Sequence, residues 1–344
     1  MKTSCATNAL IVLLLSGLPG GSGAEIISVG GRAAPNTPGD VYWQRFADSV
    51  HTATDGKTQV RLFIRGEIGP EETQFAHLRR GRRVQLAGIS TTTVSQVVPA
   101  LDILRLPFLF DSLGEVGYVL DNHLKAPLHQ LLLKHDLVMI DWMSAGWLNL
   151  YAKTPMRHPD DIAHQRIRIN ASPAALLFMQ AVDADIVPIS FSEIVTALQT
   201  GLIDGGEQST QLFVTGGMGK FAPHFSRTQH AFLTALIIAN RGWFEALSEA
   251  DREIYRQAVP SDQWYRHYFS ERNVPLLRQA TADGLTVHDL SAADRAVWRQ
   301  RTKSIAADLF AKTGPEAQLL YDIILEGKAA YAAQQAATDR PATP

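Results

Sequence analysis

The regular alternation of strand-like and helix-like segments constrains the fold of this chain more than any other feature. Buried strands are predicted at IISVG (26–30) and QVRLFI (59–64). Between them, Trp43, Phe46 and Val50 recur at the spacing of one helical face. Strands that alternate with helices favour βαβ units, so the sequence predicts an α/β organisation with a mostly parallel sheet.

The same alternation continues through the second half of the chain. Strands are predicted at 137–141, near 147–152 and at 166–169. The apolar run at 231–240 predicts a buried strand that returns to the first domain. From about residue 260 onward, the pattern is mostly that of long amphipathic helices. With 344 residues and no low-complexity linker, the chain fits two domains joined by crossing strands.

The N-terminus has the three parts of a secretory signal peptide. Lys2 supplies a positive charge, ALIVLLL (9–15) is a short apolar core, and small residues precede a cleavage point after Ala24. An apolar run this short is below the ~20 residues that a membrane-spanning helix needs. A buried first core helix is the alternative interpretation. We expect residues 1–24 to be removed during export.

Cysteine content and charge narrow the class of protein further. Cys5 is the only cysteine and lies in the predicted signal peptide, so the mature chain would have no disulfide and no thiolate. An exported protein of this size without disulfides suits a bacterial periplasm better than a harsher extracellular setting. The formal net charge of −2 gives no basic field for nucleic acid. We expect a periplasmic protein with no nucleic-acid partner.

The motifs of catalytic and cofactor sites are incomplete in this chain. VTGGMGKF (214–221) lacks the first glycine and the final Ser or Thr of a phosphate loop, and GISTT (88–92) lacks the last glycine of a nucleophile elbow. The 11 histidines show no His-Glu-x-x-His spacing. The sequence therefore predicts a protein that is not an enzyme and that holds neither a metal nor a cofactor.

The stretch QRIRI (165–169) places two arginines on one face of a predicted strand. Side chains alternate along a strand, so Arg166 and Arg168 point the same way, opposite to the two isoleucines. Two guanidiniums on one face repel each other unless an anion neutralises them. A protein carboxylate, solvent and a bound ligand are the three candidates for that anion, and the pattern alone leaves all three open.

The order of motifs around this strand resembles the solute-binding proteins of tripartite ATP-independent periplasmic (TRAP) transporters, a family that captures organic acids. The most specific parts are PDDIAHQRIRI (159–169) and VPISFSEIVTALQTGLIDGGEQ (187–208). EIGPEE (67–72), LRLPFLFD (104–111) and the segment 228–254 also match segments of that family. The resemblance covers nearly the whole mature chain.

The resemblance implies an α/β fold of the two-lobed periplasmic-binding-protein type. Mixed sheets are flanked by helices, a ligand cleft lies between the lobes, and a long helix spans both lobes. We assign 25–145 plus 234–273 to lobe I and 146–233 plus 274–330 to lobe II. Residues 331–344 are expected to form a polar tail.

The resemblance also implies which residues hold the ligand. The hallmark arginine of the family, which forms a salt bridge with the ligand carboxylate, matches Arg168. Phe191 matches an aromatic residue that packs on the solute, and Gln208 takes the place of an asparagine that contacts the same carboxylate. Glutamine is one methylene longer, so the carboxylate would be slightly displaced. Asn170, just beyond the strand, is a further candidate.

Two departures from the family pattern bear on the ligand. Leu148, with Trp147 beside it, stands where sugar-acid-binding members have a second arginine. On the opposite lobe, Ser90 belongs to the hydroxyl-rich GISTTT (88–93), where such members have charged groups. The pocket would have one firm cation, Arg168, with an apolar wall and a few hydroxyl donors. We expect a monocarboxylate with an apolar or hydroxylated body, in preference to dicarboxylates and sugar acids.

The function that the resemblance implies is capture of an organic acid and its delivery to TRAP membrane subunits by a monomeric protein. A sensory binding protein that presents its ligand to a membrane receptor would have the same cleft, so the sequence leaves that alternative open. A secreted enzyme on this fold would need an acid/base pair or a nucleophile in the cleft. Arg166, Asp204 and Glu207 are interpreted as structural or solvated.

Overall fold

The computed structural model describes residues 25–169 and 172–338. The predicted signal peptide, the candidate ligand residue Asn170 and residues 339–344 lie outside the described residues. In the described part of the chain, no helix is long and apolar enough to cross a membrane. Within the same ranges, His, Cys, Asp and Glu side chains form no group of three that could hold a metal ion.

The elements alternate along the chain as the sequence predicted. The strands are β1 Glu25–Gly30, β2 Thr58–Phe63, β3 Leu86–Ser90, β4 Leu137–Ala152, β5 Arg166–Ile169, β6 Asp185–Pro188, β7 Gly205–Ser209, β8 His224–Asn240 and β9 Thr286–Asp289. The α-helices are α1 Pro38–Ala53, α2 Glu71–Arg79, α3 Thr91–Ser95, α4 Leu113–Val119, α5 Lys125–Leu133, α6 Pro173–Ala181, α7 Ile194–Thr200, α8 Thr210–Thr215, α9 Arg241–Ala246, α10 Glu249–Ala258, α11 Asp262–Ala282, α12 Ala292–Thr302, α13 Ile305–Thr313 and α14 Pro315–Thr338. Short 3-10 turns occur at Pro99–Arg105, Pro159–Asp161, Phe191–Glu193 and Met218–Lys220, and a π-helical turn at Leu120–Leu124.

The described strands form one mixed sheet with two parts. The strand order is β2-β1-β3-β8-β4-β7-β5-β6, and β9 pairs with β8. Strands β1, β2 and β3 run parallel in the part that we call lobe I, and β5, β6 and β7 run parallel in the part that we call lobe II. The long strands β4 and β8 lie between the two groups and pair antiparallel with each other. We call them the hinge strands, because each runs from one lobe into the other.

The hinge strands correct the sequence-based prediction. The strands predicted at 137–141 and near 147–152 are one continuous strand, β4. Its pairing with β8 shifts register between Ser144 and Gly146, where Gly146 has a φ of 88° that residues with a Cβ rarely adopt. A bulged strand with a glycine in its middle looks like two short strands in a sequence. The mostly parallel sheet is therefore correct within each lobe and wrong at the hinge.

Helix α11 connects the cores of the two lobes. Tyr265 and Phe269, in its first half, pack into the lobe I core, and Leu277 packs against the lobe II core. At its first residue, Asp262 accepts hydrogen bonds from the backbone N (2.6 Å) and the Oγ (2.9 Å) of Ser144. This is the helix spanning both lobes that the resemblance implied.

The C-terminal part of the chain differs from the prediction in two places. A short strand, β9, interrupts the helices and pairs parallel with β8. Helix α14 continues to Thr338, so the segment 331–338 of the predicted polar tail is helical. The four residues of β9 are too few for a recognisable alternation of apolar and polar residues, and only the adjacent edge of β8 makes them a strand.

Packing under lobe I positions the ends of β1 and β3. The Oγ1 of Thr37 accepts a hydrogen bond from the backbone N of Asp40 and caps α1, which carries the fully buried Trp43. The Trp43 ring lies so close to Gly88 on β3 that a Cβ there would be 2.7 Å from the ring. Because α1 packs tightly on the sheet, the ends of β1 and β3 are held in place, and so are the starting points of the loops that follow them.

Candidate ligand-binding cleft

The cleft lies where the carboxyl ends of the parallel strands of the two lobes meet. In lobe I, Arg32 follows β1 and Ser90 ends β3. In lobe II, Phe191 follows β6 and Gln208 lies near the end of β7. The guanidinium carbon of Arg32 is 5.4 Å from the centre of the Phe191 ring, so the two edges touch. Crevices at the carboxyl ends of parallel strands are the usual ligand sites of α/β proteins.

Arg168 lies buried in this region without a counterion among the described residues. Its side chain is part of a residue that is only 6% exposed. Its Nε donates a hydrogen bond to the backbone carbonyl of Ile189 at 3.1 Å. No carboxylate of the described chain lies within 4 Å of its guanidinium nitrogens. A buried guanidinium without an anion is costly to fold, so the site favours an anionic partner.

The groups around Arg168 shift the pKa of its guanidinium in opposite directions. Burial lowers the pKa of its guanidinium, and the positive charges of Arg105 and Arg32 lower it further. Tyr151 and Glu207 oppose this shift. The three guanidiniums thus lie near one another, Glu207 is the carboxylate that acts on Arg168, and an incoming anion would be attracted to this region.

Arg166, the other arginine of β5, forms an ion pair with a protein carboxylate. Its Nε and Nη2 donate to the two carboxylate oxygens of Asp204 at 2.8 and 2.7 Å. This hydrogen-bonded ion pair lowers the pKa of Asp204. The pair lies at the surface, as the interpretation of Arg166 and Asp204 as structural or solvated predicted. A protein carboxylate thus neutralises Arg166 but not Arg168.

Gln208 and Leu148 lie on neighbouring strands beside the cleft. Gln208 is 5% exposed, and its Oε1 accepts a hydrogen bond from the backbone N of Ser209 at 3.0 Å. In the described residues its amide nitrogen has no hydrogen-bond acceptor. Leu148 is buried and pairs with Ser209 across β4 and β7. The pairings Leu148–Ser209 and Asn149–Gln208 place the Leu148 and Gln208 side chains on opposite faces of the sheet, at the same end of β7.

Trp147 lines a cavity between the hinge strands and α11. Its ring packs edge-on against Phe232, with the ring centres 5.1 Å apart. The two rings line a cavity of about 190 Å³ between the hinge strands and α11, together with Phe269. Adjacent residues of a strand point to opposite faces, so Trp147 and Leu148 do not line the same surface. Arg168, Phe191 and Gln208 are not among the residues that line this cavity, but Asn149, which pairs with Gln208 across β4 and β7, is.

The Ser90 hydroxyl is hydrogen-bonded to a carboxylate of lobe I, Glu71. The Oγ of Ser90 and the Oγ1 of Thr93 each donate to Oε2 of Glu71 at 2.6 Å. The backbone N of Ser90 donates to the other oxygen of Glu71 at 3.1 Å. The hydroxyl protons that were expected to serve the ligand are therefore used within lobe I. The polar group that lobe I offers at this edge is therefore the half-buried carboxylate of Glu71, to which these hydroxyls are hydrogen-bonded.

A buried ion-pair network lies behind the cleft. Glu207 accepts from Arg105 Nη2 at 2.5 Å and lies 2.9 Å from His230 Nε2. All three residues are at most 3% exposed. Burial alone would raise the pKa of Glu207, but the Arg105 guanidinium and the bond to His230 outweigh it and lower the pKa to about 2. Glu207 is thus ionised and structural, as predicted, and its partner Arg105 was not found from the sequence.

Three buried polar atoms around β7 have no hydrogen-bond partner among the described residues: Tyr151 Oη, Ser209 Oγ and Arg105 Nε. Tyr151 packs on Gly206, where a Cβ would lie 2.5 Å from the hydroxyl oxygen. Gly206 is the register partner of Arg168 on the neighbouring strand. Buried donors without acceptors are costly, so this part of lobe II suits a partner rich in oxygen atoms.

Arg32 is the cleft residue that the sequence analysis missed most clearly. It is exposed and lies two residues after the end of β1. One signal could have identified it. A charged residue at the carboxyl end of the first parallel strand occupies the edge where α/β proteins bind ligands.

Comparison with known proteins establishes the family. A family model described as bacterial extracellular solute-binding protein, family 7, matches residues 29–313. The chain belongs to this family. As a family 7 protein it is a solute-binding protein and not an enzyme, in agreement with the sequence analysis.

Family 7 relatives with known ligands share the whole architecture. The ectoine-binding periplasmic protein TeaA of Halomonas elongata is 25% identical over 290 residues, which cover 82% of this chain and 84% of TeaA. The structure of the ectoine-binding protein of the TeaABC TRAP transporter has a TM-score of 0.84 at 22% identity and covers 89% of this chain and 100% of that chain. The 2,3-diketo-L-gulonate-binding periplasmic protein YiaO of Escherichia coli is 22% identical over 321 residues, 92% of this chain and 96% of YiaO.

A further solved structure of this fold contains a sugar acid. The sugar acid binding protein DctPAm of Advenella mimigardefordensis, in complex with galactonate, has a TM-score of 0.82 at 25% identity. The match covers 88% of this chain and 99% of that chain. The resemblance to TRAP solute-binding proteins and the two-lobed α/β fold are confirmed.

Proposed function

We propose that this protein captures an organic acid between its lobes through an ion pair between Arg168 and the ligand carboxylate. Gln208 donates its amide N–H to the same carboxylate, and Phe191 and Leu148 supply apolar contacts. The protein works in the periplasm after removal of residues 1–24 and delivers the acid to TRAP membrane subunits.

The observation that carries this proposal is the buried guanidinium of Arg168, which has no carboxylate partner among the described residues. A guanidinium is always charged at physiological pH and presents two parallel N–H donors that match the two oxygens of a carboxylate. The single hydrogen bond to the Ile189 carbonyl uses Nε and leaves the terminal nitrogens for a ligand. The neighbouring Arg166, on the same strand, has the protein carboxylate that Arg168 lacks.

We further propose that the preferred ligands are monocarboxylates with hydroxyl or keto oxygens. The charges of Arg105 and Glu207 neutralise each other. Arg168 is therefore the one buried cation of the described cleft that lacks an anion. A second ligand carboxylate would have to reach Arg32 at the exposed edge or lose its hydration beside Leu148, at several kcal/mol per uncompensated ion. The galactonate complex of the related fold argues against excluding sugar acids, so the proposal does not exclude them.

A thermal-shift panel tests this preference. At matched concentrations we expect lactate, 2-oxoisovalerate or galactonate to raise the melting temperature more than succinate or malate, because only the native state binds. Larger shifts with the dicarboxylates would contradict the monocarboxylate preference while leaving the ion pair to Arg168 intact. No shift with any acid of the panel would count against organic-acid capture itself.

Arg32 is expected to contribute through the contact between the lobes. A cation–π contact at an exposed site contributes roughly 0.5–1 kcal/mol, so Arg32→Ala should weaken ligand binding about two- to fivefold. Arg45→Ala is the matched control, because Arg45 makes a similar contact, 4.4 Å from the Trp264 ring, inside lobe I. Calorimetry with the best acid of the panel measures both. Equal losses in the two variants would mean that the Arg32 contact does not act across the cleft.

A further inference from the structure

Arg105 occupies an unusual place between the lobes. It ends the 3-10 turn Pro99–Arg105, and its Nη2 donates to Glu207 on β7 in lobe II. Its Nη1 reaches Thr92, in α3 of lobe I, at 3.5 Å. Its Nε has no partner among the described residues. A buried cation is thus held at the back of the cleft by one carboxylate.

Glu207 is the buried carboxylate whose charge acts on Arg168, although alternation along β7 turns its side chain to the face of the sheet opposite to that of Gly206. It follows Gly206, the register partner of Arg168, and is 3% exposed. Its negative charge acts on the guanidinium of Arg168, and the positive charge of Arg105 acts in the opposite sense. In a buried setting such fields are weakly screened. The electrostatic potential that a ligand carboxylate experiences at Arg168 therefore depends on whether the charge of Glu207 is neutralised.

We propose that Arg105 is a positioning residue that neutralises Glu207 and so keeps Arg168 available for the ligand carboxylate. This rests on the proposed function, in which Arg168 binds that carboxylate. With Arg105 in place, each oxygen of Glu207 has its own partner, Arg105 on one side and His230 on the other. Without Arg105, the uncompensated charge of Glu207 lowers the positive potential at Arg168 and repels an incoming carboxylate.

The decisive experiment compares four variants by calorimetry with the best acid of the thermal-shift panel. Arg105→Gln should weaken binding about tenfold or more, since the unpaired charge of Glu207 would act on Arg168 through a weakly screened interior. Arg105→Lys keeps the charge and should bind within about threefold of wild type. Adding Glu207→Gln to Arg105→Gln removes the competing charge and should restore most of the affinity. Arg166→Gln, which breaks the exposed pair with Asp204, is the control and should change nothing.

A pH series separates this electrostatic role from a structural one. In wild type, Glu207 stays ionised because its pKa is lowered to about 2, so affinity for an acid ionised above pH 5 should be flat between about pH 5 and 8. The groups that act on Glu207 are Arg105, His230, Arg168, Tyr151 and Asp102. Removing Arg105 leaves burial to raise the pKa of Glu207. Affinity of Arg105→Gln should then improve as the pH falls and Glu207 takes up a proton.

Two results would overturn the proposal. One is a double variant that binds as weakly as Arg105→Gln at every pH, which would assign Arg105 a direct or purely structural role. The other is Arg105→Gln that binds like wild type. Melting curves of each variant identify unfolded protein, and Arg105→Lys keeps the test valid if Arg105→Gln does not fold. If Arg168→Ala binds normally, the proposed function fails first, independently of Arg105.

Discussion

Arg168→Ala is expected to abolish ligand binding while leaving the protein folded. Truncating one partner of a desolvated ion pair typically costs roughly 2–5 kcal/mol, a loss of about thirtyfold or more in affinity. Arg168→Lys should recover little, because an ammonium lacks the two parallel donors of a guanidinium. Without ligand, the Ala variant should melt at or above the wild-type temperature, because it removes a buried cation that has no protein counterion among the described residues.

The control for this experiment is provided by the same strand. Arg166→Ala removes a guanidinium two residues away that is exposed and paired with Asp204. Surface ion pairs contribute about 0–1 kcal/mol, so the affinity of this variant should stay within about threefold of wild type. The assignment of the binding site would be wrong if the two variants lost affinity equally, or if Arg168→Ala bound like wild type.

Asp262→Ala is expected to give the largest loss of stability among single substitutions at the hinge. Asp262 is 2% exposed, forms a salt bridge with Arg266, and accepts two hydrogen bonds from Ser144 on β4. Removing one partner of a buried ion pair costs about 3–5 kcal/mol, because the other charge stays buried. Arg266 keeps one carboxylate, Asp121 at 2.7 Å, which places the expected loss of unfolding free energy at the lower end of that range.

Urea unfolding monitored by circular dichroism measures this loss. Asp204→Ala is the matched control, because it also removes an Asp–Arg pair but leaves the freed Arg166 in solvent. We expect the control to lose less than about 1 kcal/mol. Equal losses in the two variants would show that the link between α11 and the hinge strand does not stabilise the fold.

The prediction for Arg168 could be made from the sequence because its signal is local. An arginine on a short strand, followed by a helix and the 187–208 motif, occupies one stretch of chain, and its order matches a known family. The alternation of strands and helices was sufficient for the α/β class for the same reason. Periodicity and motif order are properties of neighbouring residues.

Whether each of the two arginines on β5 has a protein counterion could not be predicted, because that depends on residues far away in the chain. Arg166 finds Asp204 across 38 residues, and Arg105 finds Glu207 across 102. Alternation places Arg166 and Arg168 on one face of a strand but does not say which of them the rest of the fold will cover. The same limit applies to Trp147, whose ring packs on Phe232 from the other hinge strand.

The pairing of β3 with a late strand has a consequence for how this protein is made. Thr91, directly after β3, hydrogen-bonds to Thr234 on β8, 143 residues further along the chain. During synthesis β3 is made long before β8, so one of its edges remains unpaired in the meantime. Exposed strand edges promote aggregation, and pairing over such a distance is slow. Lobe I therefore cannot finish folding until the second hinge strand is available, and β3 keeps one open edge until then.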